Sequence, residues 1–167
     1  MLCHISDIPY LWPMTVQERF TRFLDEQALC RPGQRALLAV SGGKDSVLMA
    51  HLFASAGYAI GIAHCNFQLR GAEADADEAL VNGLARQLEV PFYTTTFDTE
   101  RHAQAHGISI QMAARDLRYE WLETIRASQG YNYIAVAQHR NDHLETLLLN
   151  LVRGTGLGGL RGIQPKR

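Results

Sequence analysis

The chain has 167 residues, 47% of them apolar, with a formal net charge of −1. That is enough apolar chain for one sizeable core and hence one domain, and the near balance of charge argues against a free-standing nucleic-acid binder held by a strong positive field. No apolar run approaches the ~20 residues of a membrane span, the first residues lack the Lys or Arg of a signal peptide, and Cys3, Cys30 and Cys65 form no Cys-x-x-Cys pair, so a soluble protein of the reducing cytoplasm is expected.

Met1 to Pro13 has two prolines and no clear period, and Met14 offers a second start, so residues 1–14 are expected to be an arm or leader. Residues 15–163 are expected to form the domain, and residues 164–167 the start of a linker. From Thr15, the positions Val16, Phe20, Phe23, Leu24 and Ala28 follow helical spacing, and Pro32-Gly33 ends that helix. A buried strand is expected over Arg35 to Ser41. Val47 to Ala56, apolar nearly all round, reads as a helix covered on two sides, and Gly57 closes it. Tyr58 to Cys65 reads as a second strand. Asn66 to Ala72 is a loop, and Glu73 to Glu89 an acidic-started helix with Leu80, Leu84 and Leu88 inward.

Phe92 to Phe97 is the third expected strand, followed by a short helix from Thr99 to His106. A long helix runs from Ser109 to about Ala127, with Ile110, Ala113, Ala114, Leu117, Trp121 and Ile125 inward. Tyr133 to Ala137 is the fourth strand. A last helix is expected from Asn141 to Arg153, its leucines on one face and Gly154 at its end. Strands alternating with helices imply a doubly wound α/β fold, a mainly parallel sheet with helices on both faces. Ligands in such sheets bind at the carboxyl ends of the strands. Each polar cluster follows a strand: Ser41 to Ser46, then His64-Cys65-Asn66, then Gln138 to Asp142. Clusters far apart in sequence therefore meet around one crevice.

The first cluster has the chemistry of an anion cradle. Gly42 and Gly43 let backbone N–H groups approach a phosphate, the following helix adds its unpaired N–H groups and positive dipole end, and Ser41 and Ser46 add hydroxyls. A Walker loop is excluded, because Leu38 and Asp45 stand where it needs Gly and Ser or Thr. A dinucleotide fingerprint lacks its third glycine. In the last cluster, Asp142 and Glu145 share one helix face at i, i+3, clear of the leucines, and can hold Mg²⁺ or grip a cationic substrate. His139 and His143 have i, i+4 spacing but no glutamate after the first histidine, so capping or solvent-facing roles are expected. The tail after Gly154 carries Arg161, Lys166 and Arg167 without an acid, and reads equally as an RNA-phosphate contact or a solvated end.

Ser41-Gly42-Gly43-Lys44-Asp45-Ser46 resembles the PP-loop of the N-type ATP pyrophosphatases, which split ATP into AMP and pyrophosphate. With it, His64 to Gly71, Ala113 to Tyr119, His139 to Thr146 and Arg153 to Gly156 resemble, in order, successive blocks of the tRNA(Ile)-lysidine synthetase family. The resemblance implies a cytoplasmic ligase of tRNA processing. It attaches free L-lysine to C2 of the wobble cytidine in a tRNA(Ile) with a CAU anticodon, using ATP and Mg²⁺. It also implies site roles. Residues Ser41 to Ser46 and His64 would bind the nucleotide, Asp45 and Asp142 the metal, and Asp45, Arg115, Asp142 and Glu145 would serve catalysis. Arg118 is the weaker arginine candidate, since a helix-surface ion pair explains it equally well. No membrane partner is expected, and a homodimer is left open. One departure stands out: the family has two adjacent histidines after the fourth strand, and here Gln138 takes the first place. The alternatives are another enzyme on the same ATP loop, a tRNA thiolase or an amide-forming synthetase, and a nucleotide-binding module without chemistry. A thiolase would be expected to show a reactive cysteine pair.

Overall fold

The computed structural model describes residues 14–27, 29–31, 33–139 and 147–153. Residues 1–13 of the expected arm, Ala28, Pro32, Asp142, His143, Glu145 and the basic tail lie outside them. Ten elements follow one another: α1 (Val16–Glu26), β1 (Arg35–Ala39), α2 (Lys44–Ser55), β2 (Ala59–Asn66), α3 (Ala72–Gln87), β3 (Phe92–Thr96), α4 (Thr99–His106), α5 (Ile110–Gln129), β4 (Tyr133–His139) and β5 (Leu147–Arg153). The helix starts are written locally. Thr15 and Glu18 form a capping box on α1, and the Asp98 and Ser109 side chains accept the backbone N–H groups of Arg101 and Met112 at the starts of α4 and α5.

The strand order is β3-β2-β1-β4-β5, with the first four strands parallel. β1 is central because its residues are buried on both faces. Ala36 and Leu38 pack with α1, α2 and α3 on one side, while Leu37 faces α5 on the other. Phe53 anchors the first layer, fully buried and edge-on to Phe20 at 5.1 Å and to Tyr58 at 5.6 Å. Truncating such a residue costs about 3–5 kcal/mol. In the second layer Tyr131 reaches under β2, where a Cβ on Gly61 would stand 2.0 Å from its Oη. Gly61 is there for room.

The expected mainly parallel α/β architecture is the observed one, with three corrections. Leu147–Arg153 is a strand antiparallel to β4, in register from His139↔Leu147 to Tyr133↔Arg153, where a helix was expected. A short apolar run suits a buried strand as well as a buried helix, and pairing with β4 satisfies backbone groups on an otherwise open edge. The inner stripe of α3 is Val81, Leu84 and Ala85, leaving Leu80 51% exposed. Likewise Val16, Phe23 and Ile110 point outward, and Phe20 and Leu24, then Ala113, Ala114, Tyr119 and Leu122, form the buried sides of α1 and α5. The helical period was right, but apolar residues outnumber the buried positions, so period alone does not fix the phase. Among the described residues no helix is long and apolar enough to cross a membrane.

Candidate functional site

The chain runs outward from β1 through β2 to β3 and then returns to the other side of β1 as β4, so the sheet has its switch point between β1 and β4. Two clefts open at the carboxyl ends of the strands, and Ser41 lines both. The larger, about 220 Å³, is floored by Ala39, Ala63 and Ala137 from β1, β2 and β4, and walled by Cys65, Phe67 and Arg118. Ala39 and Ala63 are register partners on the α5 side of the sheet, while Ala137, one residue beyond the Ala39 partner Val136, faces the other layer. The smaller, about 140 Å³, lies towards α3 and is lined by His64, Asn66, Arg70 and Asp77 among others.

The loop between β1 and α2 is built as an anion cradle. Gly42 has φ +92°, a conformation open to glycine, and Gly43 is the N-cap of α2 with no side chain capping the helix start. Ser41, Gly43 and Lys44 are exposed. The loop is braced from within. The Ser46 hydroxyl donates to the Gly43 carbonyl at 2.8 Å, and its oxygen accepts the Ser41 N–H at 3.2 Å. Ser46, expected as a ligand donor, is buried and its proton is used inside the loop, while Ser41 Oγ lies at the mouth of both clefts. Asp45 is half-buried in the first turn of α2. A helix N-terminus alone stabilises an anion by about 0.3–1 kcal/mol, up to ~2 when partly buried, so a highly charged anion there would draw most of its affinity from the adjacent N–H groups and cations.

Around the cradle, β2 supplies two buried polar side chains. His64 Nδ1 lies 2.9 Å from the Val40 carbonyl oxygen, directly before the loop. Asn66 donates to Asp75 at 3.1 Å and Glu78 at 3.2 Å and accepts the Gln68 N–H, tying the end of β2 to the start of α3. That clamp sets Asp77 against the loop, its Oδ1 2.9 Å from where a Gly42 Cβ would be. Burial pushes the Cys65 thiol up to about 12, against the lowering pull of Arg118, so it is a neutral wall residue.

The two arginines separate. Arg115 is exposed and stacks on Tyr119 at 5.0 Å, outside both clefts. Arg118, three residues on, is half-buried over the Phe67 ring at 5.1 Å and lines both clefts. Phe67 in turn stacks on Phe97 at 5.6 Å. The sequence does not single out Asp77, and marks Phe67 only as part of the His64 to Gly71 block. Asp77 sits among acids that answer the α3 dipole, and only the fold turns one of them towards Gly42. Among the described residues no group of three or more His, Cys, Asp or Glu is arranged to hold a metal.

A parallel sheet, a glycine cradle ahead of α2 and clefts on either side of Ser41 are a nucleotide-site layout. Residues 13–167 match the PP-loop domain family. The chain belongs to that family. Membership implies use of ATP. The PP-loop domain is also 47% identical, over 92% of its length, to a tRNA(Ile)-lysidine synthase from Porphyromonas gingivalis, and 44% identical over 90% to one from Bacteroides thetaiotaomicron. It spans 34% and 35% of those proteins, about a third of the curated relatives it matches. In fold it is similar to an NH3-dependent NAD synthetase from Campylobacter jejuni, with a TM-score of 0.56 at 18% identity over 71% of this chain and 53% of that one. An NMN synthetase from Francisella tularensis gives 0.54 at 21%, over 72% and 51%.

Proposed function

We propose that this PP-loop domain activates the wobble cytidine of a CAU-anticodon tRNA(Ile) with ATP and joins free L-lysine to it, with residues 15–163 as the catalytic unit. The observation that supports the substrate is 47% identity over 92% of the chain to a relative named tRNA(Ile)-lysidine synthase. The geometry supports the ATP half. The triphosphate lies along Ser41 to Ser46, with Lys44 exposed beside it and the N–H groups at the start of α2 directed at the phosphates. The neighbouring methyl groups of Ala39 and Ala63 in the larger cleft offer an apolar surface to the flat face of a base.

The C2 oxygen of cytosine is a poor leaving group. It attacks the α-phosphate, the bond to pyrophosphate breaks, and the adenylylated base is left. The lysine ε-amine then bonds to C2, the C2–O bond breaks, and AMP leaves with the oxygen. Arg118, which lines both clefts, would meet charge developing on the α-phosphate, whereas Arg115 lies outside them. Asp45 and Asp142 would hold Mg²⁺, which neutralises phosphate charge when bound; Asp45, in the first turn of α2, offers the hard oxygen such an ion takes. Asp142 and Glu145 would partner the lysine ammonium. A thiolase reading is disfavoured by the high, buried Cys65 thiol. Pyrophosphate release measured with and without tRNA, and with lysine omitted, tests the reading. Release must require tRNA, and AMP must appear only when lysine is added. Release with ATP alone contradicts it.

A further inference from the structure

Arg118 is held by a ring rather than by a carboxylate. Its Cζ lies over the Phe67 ring, 5.1 Å from the centroid. Among the described residues it makes no ion pair and no hydrogen bond, the ion pairs there joining Arg22 to Glu26 and Arg126 to Glu123. The difference matters chemically. A carboxylate partner orients a guanidinium by taking up its N–H fork, whereas a ring face attracts the cation through its quadrupole and leaves the fork for another acceptor. Arg118 lines both clefts, so that acceptor can be an anion bound there.

The ring is itself fixed. Phe67 directly follows β2 and Phe97 directly follows β3; the two rings stack at 5.6 Å and 25°, and Trp121, one helical turn after Arg118 on α5, meets Phe97 edge-on at 6.5 Å. The backbone beneath is pinned as well. The Phe97 N–H donates to the Asn66 carbonyl at 2.8 Å, and the buried Thr99 hydroxyl donates to the Phe67 carbonyl at 3.0 Å. An arginine side chain loses much rotamer freedom when it is ordered on a ligand, and one already ordered does not pay that cost again. We propose that Phe67 is a positioning residue for Arg118: its ring presets the guanidinium at the clefts with its N–H donors uncommitted, so that Arg118 meets the α-phosphate without first having to be ordered. This rests on the function proposed above and adds the group that orients its cation.

The test is single-turnover pyrophosphate release by the chain with ATP, Mg²⁺ and tRNA(Ile) bearing a CAU anticodon, in a cycle of Phe67→Leu, Arg118→Ala and the double variant. Phe67→Leu keeps apolar bulk without a ring face and should slow release about threefold to thirtyfold, the span of one cation–ring contact from exposed to desolvated. In the Arg118→Ala background the same change should slow it by less than about twofold, because the cation it orients is gone. Phe67→Tyr, which restores a ring face, should recover most of the rate. Replacing Phe67 by its ring-pentafluorinated analogue keeps the shape but removes the negative face, should slow release as Phe67→Leu does, and decides the matter if the Leu variant does not fold. Equal slowing by Phe67→Leu with and without Arg118 overturns the inference, and so does a fluorinated ring that leaves the parent's rate. A parent that releases no pyrophosphate with tRNA present overturns the inference together with the proposed function, whereas independent effects in an active parent remove the inference alone.

Discussion

A Cβ on Gly42 would stand 2.9 Å from Asp77 Oδ1 at a φ of +92°, whereas Gly43 has an ordinary φ of −69° and only Ser41 Oγ at 3.4 Å. The two glycines of the cradle therefore do different work. Gly42 lets the chain turn beneath α3, and Gly43 leaves the open face of the loop bare.

Gly42→Ala should lower stability by about 1–3 kcal/mol, the cost of a side chain in strained backbone, and lose ATP binding with it. Gly43→Ala should stay within about 1 kcal/mol of the parent, since an N-cap tolerates the change modestly, but weaken ATP because its methyl stands at the open face. Thermal unfolding and ATP titration of both variants check this. Equal destabilisation by the two would mean that the loop is held otherwise.

Arg118→Ala should slow single-turnover pyrophosphate release by about a hundredfold to a thousandfold, the scale of losing one preorganised charge donor. Arg115→Ala, an exposed change outside both clefts, should alter it by less than about threefold. The reverse order would return the role to Arg115, which the sequence alone favoured.

Burial raises the Cys65 thiol from an ordinary 9.0 to about 12. At pH 8 its thiolate is then about a thousandfold scarcer than that of a free thiol, so iodoacetamide should modify it about a thousandfold more slowly. The sign of the linked stability follows. The folded state holds the proton more tightly, so this contribution is full below pH 9 and is lost as pH rises from 9 towards 12. Rapid alkylation of Cys65 in the folded chain would contradict the buried setting and reopen thiol chemistry.

The alternation of strand and helix and the cradle at Ser41 to Ser46 were legible because each is local: apolar period, glycine placement and helix caps lie in short stretches. The phase of α3 was not, since Leu80 and Val81 are equally apolar and only the sheet decides which is buried. β5 was missed because Leu147 to Val152 carries no period that separates a strand from a helix. Choosing between Arg115 and Arg118 needs the direction of the α5 face, set by Tyr119 and Leu122 packing on the sheet. Asp77 needed the Asn66 clamp, a contact nine to twelve residues away in sequence from its partners.

The most direct test is of the product. The chain, incubated at low salt with ATP, Mg²⁺, lysine and a tRNA(Ile) transcript bearing a CAU anticodon, is followed by nuclease digestion and mass spectrometry of the nucleosides. The account predicts that the wobble cytidine alone gains the mass of one lysine less one water, that ATP is required, and that Asp45→Ala abolishes the gain while leaving thermal unfolding near the parent's. A chain that binds and cleaves ATP yet leaves that cytidine unmodified, with the full-length relative active under the same conditions, would contradict it.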